Sequence, residues 1–277
     1  MEPPCFGAFG IVEFFRRRFS EMLTAQVKIQ RVDARSAIHD AVDAATSLVS
    51  SWRRNGQVVG EWKIAVKKEA ISAYVSVLER SSLGRKFENE YVKKALANLP
   101  HVGLGKPRIE ILGRDPEAAQ VCSCNIRESF ILFTTFLQIG SPLRCGLCFG
   151  MIPLYRIPST KNPEYYDIFS WEERYRAFDT LYMQSGAGER FSERQLEGFQ
   201  SPLSREGREL CSSIEKVTGT PTFYYICKFR SRSTRMERER KCPRCNHSWL
   251  LDEAWHGLFD FRCESCRLLS NVAFDHR

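Results

Sequence analysis

Cys242-Pro-Arg-Cys245 and Cys263-Glu-Ser-Cys266, with seventeen residues between them, carry the most direct chemical signal in this sequence. Each two-residue gap bends the backbone so that both sulfurs face one ion, and N–H groups at the bend can hydrogen-bond the thiolates. Two such bends complete a tetrahedron. The four cysteines are therefore expected to hold one Zn2+ in a structural zinc ribbon spanning residues 241–277. Sulfur in all four positions leaves no open coordination place, which argues against metal catalysis. A segment below about 40 residues needs such a metal to fold. His247 and His256 lie nearby but read as surface or turn residues, because four sulfurs already saturate the ion.

Cys145-Gly-Leu-Cys148 repeats the spacing as half of a site. Three readings stay open: a second metal site completed from elsewhere, with Cys122 and Cys124 the nearest candidates; a redox pair; or buried free thiols. Gly and Pro turns follow the pair, without the helix N-terminus that would lower a thiol pKa. With one zinc in the ribbon alone, Cys145→Ser would leave the metal content unchanged.

The formal charge is +8, and a four-thiolate Zn2+ site of net charge about −2 would leave roughly +6. Eight basic residues fall between Lys228 and Arg244 against only Glu237 and Glu239, so nearly the whole excess adjoins the ribbon. That focus makes Arg230, Arg232, Arg235, Arg238, Arg240, Lys241 and Arg244, with Arg262 and Arg267, the expected contacts to the phosphates of DNA or RNA. Trp249, Trp255, Phe259 and Phe261 could stack on bases, although so small a ribbon needs aromatics to cover its own hairpin. The alternative is a protein-interaction module, an adaptor or an immunity-type inhibitor, whose basic segment meets an acidic protein surface. No P-loop, HExxH, GxSxG or deaminase signature occurs, so the chain is expected not to be an enzyme. Asp167, Glu172, Glu173 and Asp179 read as a solvated helix face.

The elements that must position these residues follow from hydropathy. Residues 27–32 alternate as a strand, and Ala37, Ile38, Ala41, Val42, Ala45, Leu48, Val49 and Trp52 recur at helical spacing until Asn55-Gly56 stops them. Residues 61–66 and 70–78 read as strands, 87–99 as a helix, 108–112 and 130–137 as strands. The order β-α-β-β-α-β predicts a ferredoxin-like α/β sandwich over residues 26–138. A loop-rich α/β centre, residues 139–228, carries the Cys145 knuckle, a helix opened by Ser201-Pro202 and closed by Gly219, and a strand over 222–226. Residues 229–240 read as a basic linker and 1–25 as an extension in which Met22 is an alternative start. The class is thus α+β. Within the ribbon, strands over 248–251 and 258–261 flank a turn at His256-Gly257. No apolar run approaches the roughly 20 residues of a membrane span. Arg16, Arg17 and Arg18 follow the apolar start instead of preceding it, and the eleven cysteines form no disulfide framework, which points to a reducing cytoplasm.

Glu237-Arg-Glu-Arg-Lys-Cys-Pro-Arg-Cys245, Trp255-His-Gly-Leu-Phe-Asp-Phe-Arg-Cys263 and Cys266-Arg-Leu-Leu-Ser-Asn271 resemble an uncharacterised bacterial family of zinc-ribbon-containing proteins for which nucleic-acid binding is conjectured. Leu132-Phe-Thr-Thr-Phe136, Ser141-Pro-Leu-Arg-Cys-Gly-Leu-Cys-Phe-Gly150, Ser204-Arg-Glu-Gly-Arg-Glu-Leu210 and Thr218-Gly-Thr-Pro-Thr-Phe-Tyr-Tyr225 are similar to it as well. The resemblance covers most of the chain after Val27 and implies Zn2+ and a nucleic-acid partner. One departure stands out. Cysteines that such a family carries near Phe178 and Ser185 are missing here, which argues against a second four-thiolate site.

Overall fold

The computed structural model describes residues 20–33, 37–116, 118–161, 163–184 and 186–276. Residues 1–19, most of the expected extension, lie outside them. Strand β1 (Ser20–Glu21) leads into β2 (Leu23–Gln30), where alternate residues Leu23, Ala25, Val27 and Ile29 are buried. Helix α1 (Ile38–Arg54) follows, and its Ala41, Ala44, Ala45, Leu48, Val49 and Trp52 form one buried stripe at the helical period. Asn55 and Gly56 end it, the latter at φ +73°, a conformation glycine reaches without a Cβ penalty.

Strands β3 (Val59–Val66) and β4 (Ala70–Val77), helix α2 (Glu90–Asn98) and strand β5 (Arg108–Arg114) complete the first unit. Asn89 caps α2 by accepting from the Val92 N–H at 2.9 Å. The four long strands make an antiparallel sheet in the order β3-β4-β2-β5, with the helices over one face. The opposite face is polar, and Gln26 donates there to Ser72 and Tyr74.

The expected strand over 130–137 is shorter and belongs elsewhere. After β6 (Gln120–Val121), β7 (Phe130–Leu132) enters a second sheet with β8 (Leu143–Cys145), β9 (Thr222–Ile226), β10 (Leu250–Trp255), β11 (Phe259–Cys263) and β12 (Leu268–Ser270). Every residue of β7 and β9 is buried, the pattern of strands enclosed on both faces. The order is β10-β11-β12-β9-β7-β8, and β9 runs parallel to both neighbours. The C-terminal hairpin is therefore continuous with the central sheet and is no separate module, and its turn falls at His256-Gly257 as expected.

The centre is more helical than its composition suggests. Helices α3 (Tyr166–Gln184) and α4 (Glu189–Glu197) precede the anticipated α5 (Pro202–Thr218), which Ser201 caps and Gly219 closes at φ +68°. The acidic residues of α3 are not all solvated. Glu172 and Asp179 are 3% and 8% exposed, alongside buried Trp171 and Tyr175. Glu172 pairs with Arg53 of α1, and Asp179 accepts the Phe136 N–H at 2.7 Å. Tyr155 and Arg156 both donate to Glu79, a second tie between the two units. Among the described residues no helix is long and apolar enough to cross a membrane.

Two stability predictions follow from this packing. A Cβ on Gly207 of α5 would lie 2.0 Å from the Tyr224 ring, so Gly207→Ala should cost about 1–3 kcal/mol in urea unfolding. Gly113→Ala, with nothing within 4 Å, should stay within about 0.5 kcal/mol; equal midpoints for the two variants would refute the close approach. Burial raises the Asp179 carboxyl from 3.8 to about 6, so the stability contributed by its protonated form is complete below 3.8 and lost as pH rises through about 6. Asp179→Asn should remove that loss, roughly 3 kcal/mol at neutral pH, and flatten the pH profile in this window.

Candidate metal centres

Cys242 and Cys245 sit in the turn entering the hairpin, and Cys263 and Cys266 at the end of β11 and in the turn before β12. Their Sγ atoms all lie within 4.8 Å of one another, three of the residues being buried. Cys245 and Cys263 approach to 3.6 Å. Thiolates about 2.3 Å from a tetrahedral ion would lie roughly 3.8 Å apart, so the cluster has the size of a metal site. The knuckle is shaped by the Asn246 N–H donating to Cys242 O at 2.9 Å, with Asn246 at φ 60°. A hydrogen bond from the backbone of His247 pulls the Cys245 thiol down to about 6, while burial pushes Cys242 up to about 12.

Of the three readings open for Cys145 and Cys148, the geometry fits a second four-cysteine cluster. Cys122 and Cys124, just after β6, meet Cys145 and Cys148, again with all sulfurs within 4.8 Å. The Phe149 N–H donates to Cys145 O at 2.8 Å and Phe149 stands at φ 59°, which reproduces the Cys242 knuckle. Gly150 packs where a Cβ would meet the Cys122 backbone at 2.7 Å, so a glycine there lets the two chain segments close on each other. Residues near Phe178 and Ser185 are not needed, because the Cys-x-Cys segment supplies the missing pair. Hydrogen bonds from Cys145 and Cys148 hold the Cys122 thiol far below its ordinary range, and the Cys122 and Cys145 contacts push Cys148 far above. Four thiolates this close would repel one another. A cation between them removes the conflict, and both clusters can hold a metal ion.

His256 connects the two. It occupies the hairpin turn at φ 55°, and its Nε2 lies 2.7 Å from the carbonyl of Gly146, between the ligand-type cysteines of the second knuckle. Its ring stacks on Phe149 at 5.2 Å and on Trp255 at 4.9 Å. His247 is exposed, and neither histidine joins a cluster of sulfurs.

The predicted basic contacts separate into two groups. Arg240 is spent internally: it pairs with Glu237 at 2.9 Å, donates to Asn271 O at 2.9 Å and lies over the Phe261 ring at 4.2 Å. Arg230 pairs with Glu189, Arg235 with Glu239, Arg262 with Glu264 and Arg267 with Glu215 and Glu264. These carboxylates also fix the supposed linker, which contains the short helix α6 (Thr234–Arg238) and whose Phe229 N–H donates to Glu197. Arg232, Arg238, Lys241 and Arg244 remain exposed, without a carboxylate partner among the described residues. Arg244, inside the first knuckle, comes close enough to Arg208 of α5 to depress its pKa together with Arg205, after burial, the larger cause. This convergence was hidden from the sequence. Trp249, Phe259 and Phe261 are 3%, 0% and 0% exposed and form core. Trp255 is half-buried under Arg262, whose guanidinium lies 4.1 Å from its ring centre. None of the four presents a free face for base stacking.

Three family profiles match consecutive parts of the chain, each described as a domain of unknown function: DUF8589 over residues 22–113, DUF2310 over 124–227 and DUF8594 over 231–276. An uncharacterized protein of Haemophilus influenzae is 32% identical over 234 residues, covering 83% of this chain and 90% of that protein. A second from the same organism is 35% identical over 166 residues, covering 60% and 82%. Among solved structures, a conserved protein from Methanosarcina mazei covers 35% of this chain and 95% of its own at 11% identity, a loose overlap with a TM-score of 0.28.

Two clusters predict two metal ions per chain by elemental analysis. Cys263→Ser and Cys145→Ser should each remove one ion and leave the other; loss of no metal on Cys145→Ser would reject the second centre. His256→Ala should weaken metal binding at the Cys145 cluster by roughly 10–100-fold in chelator competition, as loss of an outer-shell partner does.

Proposed function

We propose that this chain, which belongs to the same family as the two Haemophilus influenzae proteins, is a non-catalytic protein held by two structural Zn2+ ions that binds nucleic acid through its basic rim. Zinc is favoured because all eight candidate ligands are cysteine sulfurs in compact sets of four, the closed arrangement of structural zinc and not of a metal with an open position. Ten described cysteines are unpaired thiols, in keeping with a reducing cytoplasm. The β-α-β-β-α-β order and the sheet order β3-β4-β2-β5 support a ferredoxin-like reading of the first unit, which here acts as a scaffold.

The nucleic-acid reading is supported by one observation: Arg244, in a cysteine knuckle, and Arg205 both add positive charge at Arg208 of α5, and Lys241 is exposed close by in sequence. Arg205, Lys241 and Arg244 form no ion pair with a described carboxylate. A rigid group of cations raises the local concentration of polyanions and contacts phosphates without reading bases, which suits a protein whose aromatics are buried. Affinity should come from the sugar-phosphate backbone and carry little sequence preference.

Binding to mixed-sequence RNA and DNA should fall steeply with salt. Each of Arg205→Glu, Lys241→Glu and Arg244→Glu should lower the salt slope by about 1 and the triple change should abolish binding. Arg240→Glu is unsuitable as a probe because it would break the buried Glu237 pair. No binding at about 50 mM salt would reject the proposal. Nuclease-resistant recovery of a protein partner from lysate would favour the protein-interaction alternative instead.

A further inference from the structure

Beside the strand that ends in Cys145, three arginines gather around one buried carboxylate where α1, β8, α3 and residues 133–140 meet. Arg53 of α1 reaches Glu172 Oε2 at 3.4 Å and lies over the Phe169 ring at 3.7 Å. Arg144 of β8 is 2% exposed, and its Nη2 donates to Gln138 Oε1 at 2.8 Å. Arg176, one helical turn beyond Glu172, extends toward Phe136 O at 3.5 Å. The Glu172 carboxylate feels the positive charge of all three, although burial outweighs them and raises its pKa.

The charge count is uneven. Asp179 is engaged by the Phe136 N–H, and Glu173, the other carboxylate that Arg53 senses, is exposed to water. Glu172 alone is left as the buried counter-charge to three guanidinium groups. Arg53 Nη1, Arg144 Nε and Arg176 Nε are buried donors with no acceptor among the described residues. Guanidinium groups present flat forks of N–H donors that match the oxygens of carboxylate and phosphate, and a junction between two folded units is a common place for a ligand.

We propose that this junction is a binding site for a small oxyanion, the phosphate or carboxylate group of a ligand, with Arg144 as its principal buried cation. Glu172 holds Arg53 in place and competes with the ligand. The site is separate from the surface cations assigned to nucleic acid and stands whether or not that assignment does.

The test is titration of the full-length, metal-loaded protein with inorganic phosphate and, separately, with acetate, against chloride at matched ionic strength. Calorimetry and thermal unfolding should show one saturable site per chain for one of the two anions, and which anion binds identifies the source. Arg144→Met should weaken that binding at least about tenfold while metal content is kept. Glu172→Gln, which removes the competing carboxylate, should tighten it and serves if Arg144→Met fails to fold. Arg244→Glu should leave it unchanged. No effect of either anion beyond chloride, equal binding by Arg144→Met and wild type, weaker binding by Glu172→Gln, or loss on Arg244→Glu would each overturn the site.

Discussion

Electrostatic repulsion among crowded sulfurs is the constraint on which the rest of this structure depends. In each cluster four Sγ atoms lie within 4.8 Å of one another, closer than four thiolates tolerate without a positive charge among them. The backbone is committed to that crowding. Asn246, Phe149 and Arg267, each directly after the second cysteine of a C-x-x-C pair, hold φ values of 60°, 59° and 53°, a region that non-glycine residues seldom occupy. Such strain persists where surrounding structure over-determines it, and a metal ion held by the four sulfurs would supply that determination. The Cys242 knuckle also carries Arg244, whose positive charge is felt by Arg208 of α5.

The shared sheet extends the influence of the clusters across the C-terminal half of the fold. Strand β9 lies between β12, which follows the first cluster in sequence, and β7, whose partner β8 ends in Cys145. Tyr225 and Phe133 bring the aromatic core of the centre against Phe259 of the hairpin. Nothing in this arrangement resembles a bead on a string. A ribbon would ordinarily depend on its ion for lack of a core, whereas here Phe259, Phe261, Leu268 and Leu269 are fully buried against the centre.

Local signals were readable in the sequence where one segment carries the whole pattern. The stripe of α1, the Ser201-Pro202 start and Gly219 stop of α5, the His256-Gly257 turn and the two C-x-x-C pairs of the first cluster all depend on residues close in sequence. What escaped depends on distant partners. Cys122 and Cys124 were legible only as one candidate completion of the Cys145 pair among three readings, because their gap is wrong for a knuckle and the Val121 to Met151 bridge is what brings them there. The face of α3 that carries Glu172 and Asp179 reads as solvated from sequence because these carboxylates interrupt the apolar period, yet both are buried. The basic segment looked like free charge because two of its counter-ions, Glu189 and Glu197, come from α4.

Strand β9 also dictates a sequence of events during synthesis. It emerges after β7 but well before β12, and for that interval one of its edges, built from Tyr224, Tyr225 and Ile226, has no hydrogen-bonding neighbour. A bare edge of buried-type residues invites pairing with other chains. The nascent protein is thus exposed to misassembly until its C-terminal hairpin arrives, so the last segment made is the one that closes the edge.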